Sequence, residues 1–412
     1  MAAWLKEDNQ DILAKTILFL ISPFFAFLYS LRRIKTKSSY VIFFLFSVFF
    51  GMSFTVGNFR EEGSNDGISY RIKFESYQYV SSYQYFDGLK EFFTFDAGSK
   101  DYYFDTIAFY VSRITDNYHV MFMVFAIIFV FISLKTFKIF TTEDNFKTSF
   151  ACLILAYLFM INQIFNINGM RFWTAAWIGV YSIFQIFKYQ NKKYFLLALC
   201  TPFFHGSFWV FIGVIILAYF FKKYNRLWVI LFFISFFISE LSITLVQNFI
   251  DIMPAFLQRM ASYYTEADYI ETRSQTGTGF WWVSILFSIL VRIYFNAIVF
   301  LFIKNTKLIN SNLKTKSLYQ FLLVWMTIFN FTMAVPSLGG RFITLAYPII
   351  AYIWLINFEG DIKRYRNFLY LMPLVYFMHF YYLIFLNYGN SLESCFFYSS
   401  PFYLIYKYLL IA

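Results

Sequence analysis

Asn168-Gly169-Met170-Arg171-Phe172-Trp173-Thr174-Ala175-Ala176-Trp177-Ile178-Gly179-Val180-Tyr181-Ser182-Ile183-Phe184-Gln185-Ile186-Phe187-Lys188 is a mostly apolar stretch with arginine at its fourth position and lysine at its last. It predicts a helix over 171–187, close to the ~20 residues that cross the ~30 Å hydrocarbon core of a bilayer. A charged side chain near hydrocarbon costs several kcal/mol, so each of the two ends marks a boundary. Basic residues continue past Lys188 with Lys192 and Lys193, which marks that end as cytoplasmic by the positive-inside rule and leaves Arg171 outside.

The same alternation extends in both directions. Assigning Arg32, Arg33, Lys35 and Lys37 to the cytoplasm, with spans near 12–31, 40–56, 118–137, 149–165, 171–187, 227–246, 280–303, 318–335, 341–357 and 367–386, puts every later basic cluster inside. The segment 194–221 is apolar with basic residues at both flanks, so it must enter and return on one side. Pro202 and His205-Gly206-Ser207 mark its break. The expectation is an all-α polytopic membrane protein of about twelve membrane segments, one transmembrane domain over 1–412, with re-entrant or broken helices around 194–221. Both termini are expected outside, and so are the two long connections, 57–117 and 247–279. The first apolar run, with no small-residue cleavage site after it, reads as a retained anchor.

Composition agrees with this class. Hydrophobic residues are 60% of the 412, charged residues only 14%, and mean hydropathy is +0.57, which leaves too little polar surface to cover a soluble globule. The net charge of +11 lies in short clusters between spans instead of on one soluble face, which argues against nucleic acid as a partner. Three scattered cysteines provide neither a disulfide framework nor a metal motif.

The outer segments hold the arginines Arg60, Arg71, Arg113, Arg171, Arg259, Arg273 and Arg341, whereas lysine predominates inside. Lysine suffices for topology, but the planar guanidinium binds phosphate in a bidentate way. Arg171 and Arg341, the latter in Pro336-Ser337-Leu338-Gly339-Gly340-Arg341, each open a span after a glycine turn, where free helix amides also attract anions. Arg60 follows an apolar run. Together they suggest a phosphorylated lipid as ligand. His205, at a break inside the membrane, is placed to take a proton from a hydroxyl or, protonated, to hold phosphate. Arg292, halfway along a span, calls for a polar neighbour such as Glu240. Outer-loop tyrosines beside carboxylates, among them Tyr70, Asp105 and Tyr264, suit sugars, since aromatic faces stack on pyranose rings and carboxylates accept hydroxyl protons. No HExxH, P-loop or GxSxG motif occurs, and no DxD points to a metal-bound nucleotide sugar, so the donor should be lipid-linked.

In this layout the chain resembles the EpsG-like branch of the Wzy polysaccharide polymerases, the O-antigen and exopolysaccharide polymerases of bacteria. The resemblance rests on Arg60…Asp66…Tyr70, on Asn168-Gly169-Met170-Arg171 followed by Lys192-Lys193-Tyr194 and Phe203-Phe204-His205-Gly206-Ser207, and on Gly340-Arg341, across roughly 50–360. Gly206 stands where a small aliphatic often follows the histidine, and Asp105 where a glutamate is usual. The resemblance implies a metal-independent, GT-C-like glycosyltransferase of the bacterial inner membrane with no cofactor. It would move a growing glycan from undecaprenyl diphosphate onto a lipid-linked repeat unit. A polysaccharide chain-length regulator is a further partner implied. It assigns Arg60, Arg171 and Arg341 to the diphosphate, and makes His205, then Asp66, the candidate bases. The competing readings are an O-antigen ligase and a lipid-linked oligosaccharide flippase. The longer outer loop falls early, unlike a ligase, and the arginines gather on one side, unlike a transporter path.

Overall fold

The structure, a computed structural model, describes residues 7–57, 66–95, 101–147, 149–239, 241–249, 258, 281–335, 338–358, 363–373 and 392–411. Every regular element among them is helical. Among the described residues four helical runs are long and apolar enough to cross a membrane: Tyr118–Thr141, Phe150–Lys188, Leu313–Ala334 and Gly339–Asn357. These mark a helical membrane protein. The twelve or so segments expected from the sequence are not reached among the described residues, because several expected spans form shorter apolar helices such as Lys37–Met52 and Asn225–Ile234. The expected 367–386 span and the connection over 247–279 fall mostly outside those residues.

The long run Phe150–Lys188 is two arms. A straight helix would separate residues 159 and 184 by ~37 Å, yet the Phe159 ring lies 6.3 Å from that of Trp177 and 5.7 Å from that of Phe184. The chain therefore turns back through 160–169, where the indole N–H of Trp177 donates to the carbonyl of Asn162 (2.8 Å). The expected spans 149–165 and 171–187 correspond to these arms.

A second reversal occupies 194–221. Helices Tyr194–Leu199 and Thr201–Phe204 end at His205, whose backbone is extended, and Phe208–Phe221 leads away. Phe195 meets Tyr219 edge to face at 5.1 Å, so the two flanks lie side by side as the basic residues at both ends require.

The N-terminus departs from the sequence expectation. The run 12–31, expected as one span, is a hairpin of Asn9–Ile21 and Pro23–Ser30, broken where the Ser22 hydroxyl caps Phe24 and Pro23 takes the first position of the second helix. The buried ammonium of Lys15 donates to Asp11 (2.7 Å), Thr36 (3.0 Å) and Ser38 (2.7 Å), and Arg33 lies 3.8 Å from Asp11. The start of the described chain thus sits beside the Arg32–Lys37 cluster, not at the opposite end from it. At the other extreme of the chain, the Tyr408 carbonyl accepts from Asn117 (2.8 Å), beside the first turn of Tyr118–Thr141.

Packing between long helices is close. A Cβ on Gly51 would stand 2.4 Å from the Cβ of Ala126, so only glycine lets Lys37–Met52 approach Tyr118–Thr141 here. The connection 57–117, expected as a loop, carries helices Asp66–Ser76, Ser82–Thr94 and Tyr103–Ser112.

A candidate anion site around Arg171 and Phe172

The first of these helices docks on the turn that precedes Arg171. Gly67 fits where a Cβ would come within 2.9 Å of the Asn168 side-chain oxygen and of the Phe54 ring. One turn later Tyr70, buried and stacked on Phe104 (5.1 Å between centroids), presents its hydroxyl to the guanidinium of Arg171, which donates through Nε at 3.1 Å. Burial raises the Tyr70 phenol above its usual range, an effect opposed by the Arg171 charge. It stays a neutral phenol.

Arg171 is the second residue of helix Met170–Ile183. Its Nη1 donates to both carboxylate oxygens of Asp101, at 3.0 and 3.2 Å. Asp101 is 5% exposed. Burial pushes its carboxyl above the ordinary aspartate value, with Arg171 pulling the other way. The adjoining N–H of Tyr102 donates to the Phe203 carbonyl (3.0 Å), so the 101–102 strand of chain is fastened to the broken helix pair that carries His205.

His205 meets Phe172 edge to face, 5.3 Å between centroids. Its Nδ1 accepts from the backbone N–H of Ser207 (3.3 Å) and lies 2.8 Å from the Ser207 hydroxyl. A backbone amide can only donate, so Nδ1 carries the lone pair and the neutral ring bears its proton on Nε2. Arg341, in the short helix Gly339–Ile343, places its guanidinium carbon 5.6 Å from the Phe172 ring centroid, while Phe342 packs on Phe172 at 5.3 Å. Arg341 is half-buried and has no ion pair with a described carboxylate.

Of the residues expected in the site, Arg171, Arg341, His205 and Tyr70 are thus brought together about the Arg171-Phe172 pair. Asp66 is exposed at the first turn of the Tyr70 helix, one turn before Tyr70. Asp105 is committed elsewhere: it is 4% exposed and accepts from Lys73 (2.6 Å) and from the Tyr77 hydroxyl, fastening Tyr103–Ser112 to Asp66–Ser76 and the turn after it. Arg60 and Tyr264 lie outside the described residues, as does Glu240, the suggested partner of Arg292.

Asp101 was not singled out from sequence. It sits in a run of tyrosines and acidic residues, and its partner is seventy positions away.

The chain matches the EpsG family over residues 42–400, and belongs to it. Membership points to a polymerase-like function in exopolysaccharide or O-antigen synthesis, with glycosyl transfer as the reaction class. Among curated proteins and among solved structures nothing matches.

Proposed function

We propose that this protein is a polysaccharide polymerase that transfers a growing glycan from undecaprenyl diphosphate to a hydroxyl of a lipid-linked repeat unit at the outer membrane face of its helices. The observation that carries the reading is that Arg341, from a distant part of the chain, places its guanidinium carbon 5.6 Å from the ring of Phe172, the residue next to Arg171. In the transfer, the acceptor oxygen forms a bond to the anomeric carbon and the bond from that carbon to the diphosphate oxygen breaks. The departing diphosphate gains charge as it leaves. Cations held beside it lower the barrier by favouring the transition state over the ground state.

The tautomer of His205 suits a particular part. With Nδ1 engaged by Ser207, Nε2–H is a donor and fits a diphosphate oxygen better than a hydroxyl proton. The acceptor's proton then goes to a carboxylate, for which exposed Asp66 is the candidate. Tyr264 and a chain-length regulator remain parts of this reading on the sequence argument alone.

The experiment is deletion of the gene followed by complementation with point variants, read on gels of lipid-linked or surface glycan. A polymerase defect leaves single repeat units. A flippase or ligase defect leaves none on the surface. Single repeats with Arg341→Ala, the protein remaining in the membrane, support the proposal; wild-type chain lengths contradict it.

A further inference from the structure

Arg171 is already loaded. Its three edges are used unevenly: Nε on Tyr70, Nη1 on both oxygens of Asp101, and Nη2 on nothing among the described residues. A carboxylate meeting a guanidinium side-on would use two nitrogens in parallel, whereas here both oxygens share one. Asp101 therefore occupies the anion position without filling it, and Arg171 keeps about a third of its side chain open.

We propose that Asp101 is a tethered competitor for the guanidinium of Arg171, so that the site admits a diphosphate and turns away anions that can make only one phosphate contact. The inference rests on the reading of Arg171 as a diphosphate ligand. A single phosphate must give up its hydration to displace a carboxylate that is covalently tethered and already desolvated, which is an unfavourable exchange. A diphosphate has a second grip. One phosphate engages Arg341, which has no described carboxylate to displace, and holds the other beside Arg171 at high effective concentration.

The test uses the full-length protein in nanodiscs, with inorganic pyrophosphate and orthophosphate as probes in calorimetry. Wild type should bind pyrophosphate well and orthophosphate poorly. Asp101→Asn should bind both more tightly, on the order of tenfold for orthophosphate, and the ratio between them should shrink. Asp101→Glu, which keeps the competitor, should stay near wild type. A residue that merely braced Arg171 would give the opposite sign, weaker binding in Asp101→Asn, and that result or an unchanged ratio overturns the inference. Arg171→Ala separates the two claims: if it leaves pyrophosphate binding intact, the diphosphate reading itself fails. A measurement on the wild-type protein stands apart from any folding defect in a variant. Wild-type protein that binds orthophosphate as tightly as pyrophosphate would also overturn the inference.

Discussion

Two buried carboxylates, at opposite ends of the helices, differ in how completely their charge is met. Glu143, 7% exposed, accepts from Lys188 (2.7 Å), from Lys314 (2.6 Å) and from the Tyr352 hydroxyl (2.8 Å). Burial would raise its carboxyl, but those bonds hold it below the ordinary glutamate range. Asp101, 5% exposed, has one arginine that is itself a third open, and its carboxyl is raised. The first carboxylate is saturated by lysine, the compact point charge. The second shares a planar guanidinium that retains an unused edge. A saturated cluster serves as a clamp between helices, and an unsaturated one can exchange partners.

The contrast breaks most visibly in activity. Arg171→Ala and Arg341→Ala should each lower polymer formation by about 10²–10³-fold, the usual cost of one donor to a developing anion, while melting in detergent moves little for Arg341→Ala. Equal loss of folding and activity in Arg341→Ala would make that residue another clamp. At the other end the order reverses. Glu143→Gln leaves buried Lys188 without its counter-charge, 6% exposed, and should cost about 3 kcal/mol of stability. Lys314→Gln, at a side chain 52% exposed, should cost under about 1 kcal/mol. Denaturant midpoints check both.

Acid sharpens the comparison further. Since the folded-state pKa of Glu143 is lowered, its contribution to stability is complete above the unfolded value of 4.5 and is lost as pH falls through the folded value. Glu143→Gln should flatten the acid limb of the stability profile, and an unchanged limb would mean that the clamp is not charged. A smaller effect concerns the frame between the two ends. Gly51→Ala inserts a methyl 2.4 Å from Ala126 and should destabilise by about 1–3 kcal/mol with the anion site unaltered.

What could be read in advance follows from range of interaction. The break at His205 was legible because Pro202, Gly206 and the two basic flanks all lie within thirty residues, and the reversal of 194–221 follows from them. Arg171 and Arg341 were legible as helix-opening arginines for the same local reason. The hairpin at Ser22-Pro23 was missed because its twenty residues, mostly apolar, satisfy the length of a span, and length outweighed a cap and a proline that were in plain view. The buried Lys15, which pins that hairpin to Thr36 and Ser38, was a further sign inside the supposed span. Asp101 and Glu143 belong to another category. Each is one acidic residue in an ordinary polar stretch, and its meaning comes from partners tens to hundreds of positions away, which no local pattern encodes. Asp105, chosen for its tyrosine neighbours, proved to be answered by Lys73 and Tyr77 for the same reason.

The central claim is that Arg171 and Arg341 grip one diphosphate together. A double-mutant cycle on pyrophosphate binding, with Arg171→Ala, Arg341→Ala and the pair, tests it most directly. Two cations holding one ligand should be coupled, so that after either is lost, removing the second costs less than it does in the wild type, by more than about 0.5 kcal/mol. Losses that simply add, or a single variant that binds as well as wild type, would contradict the account.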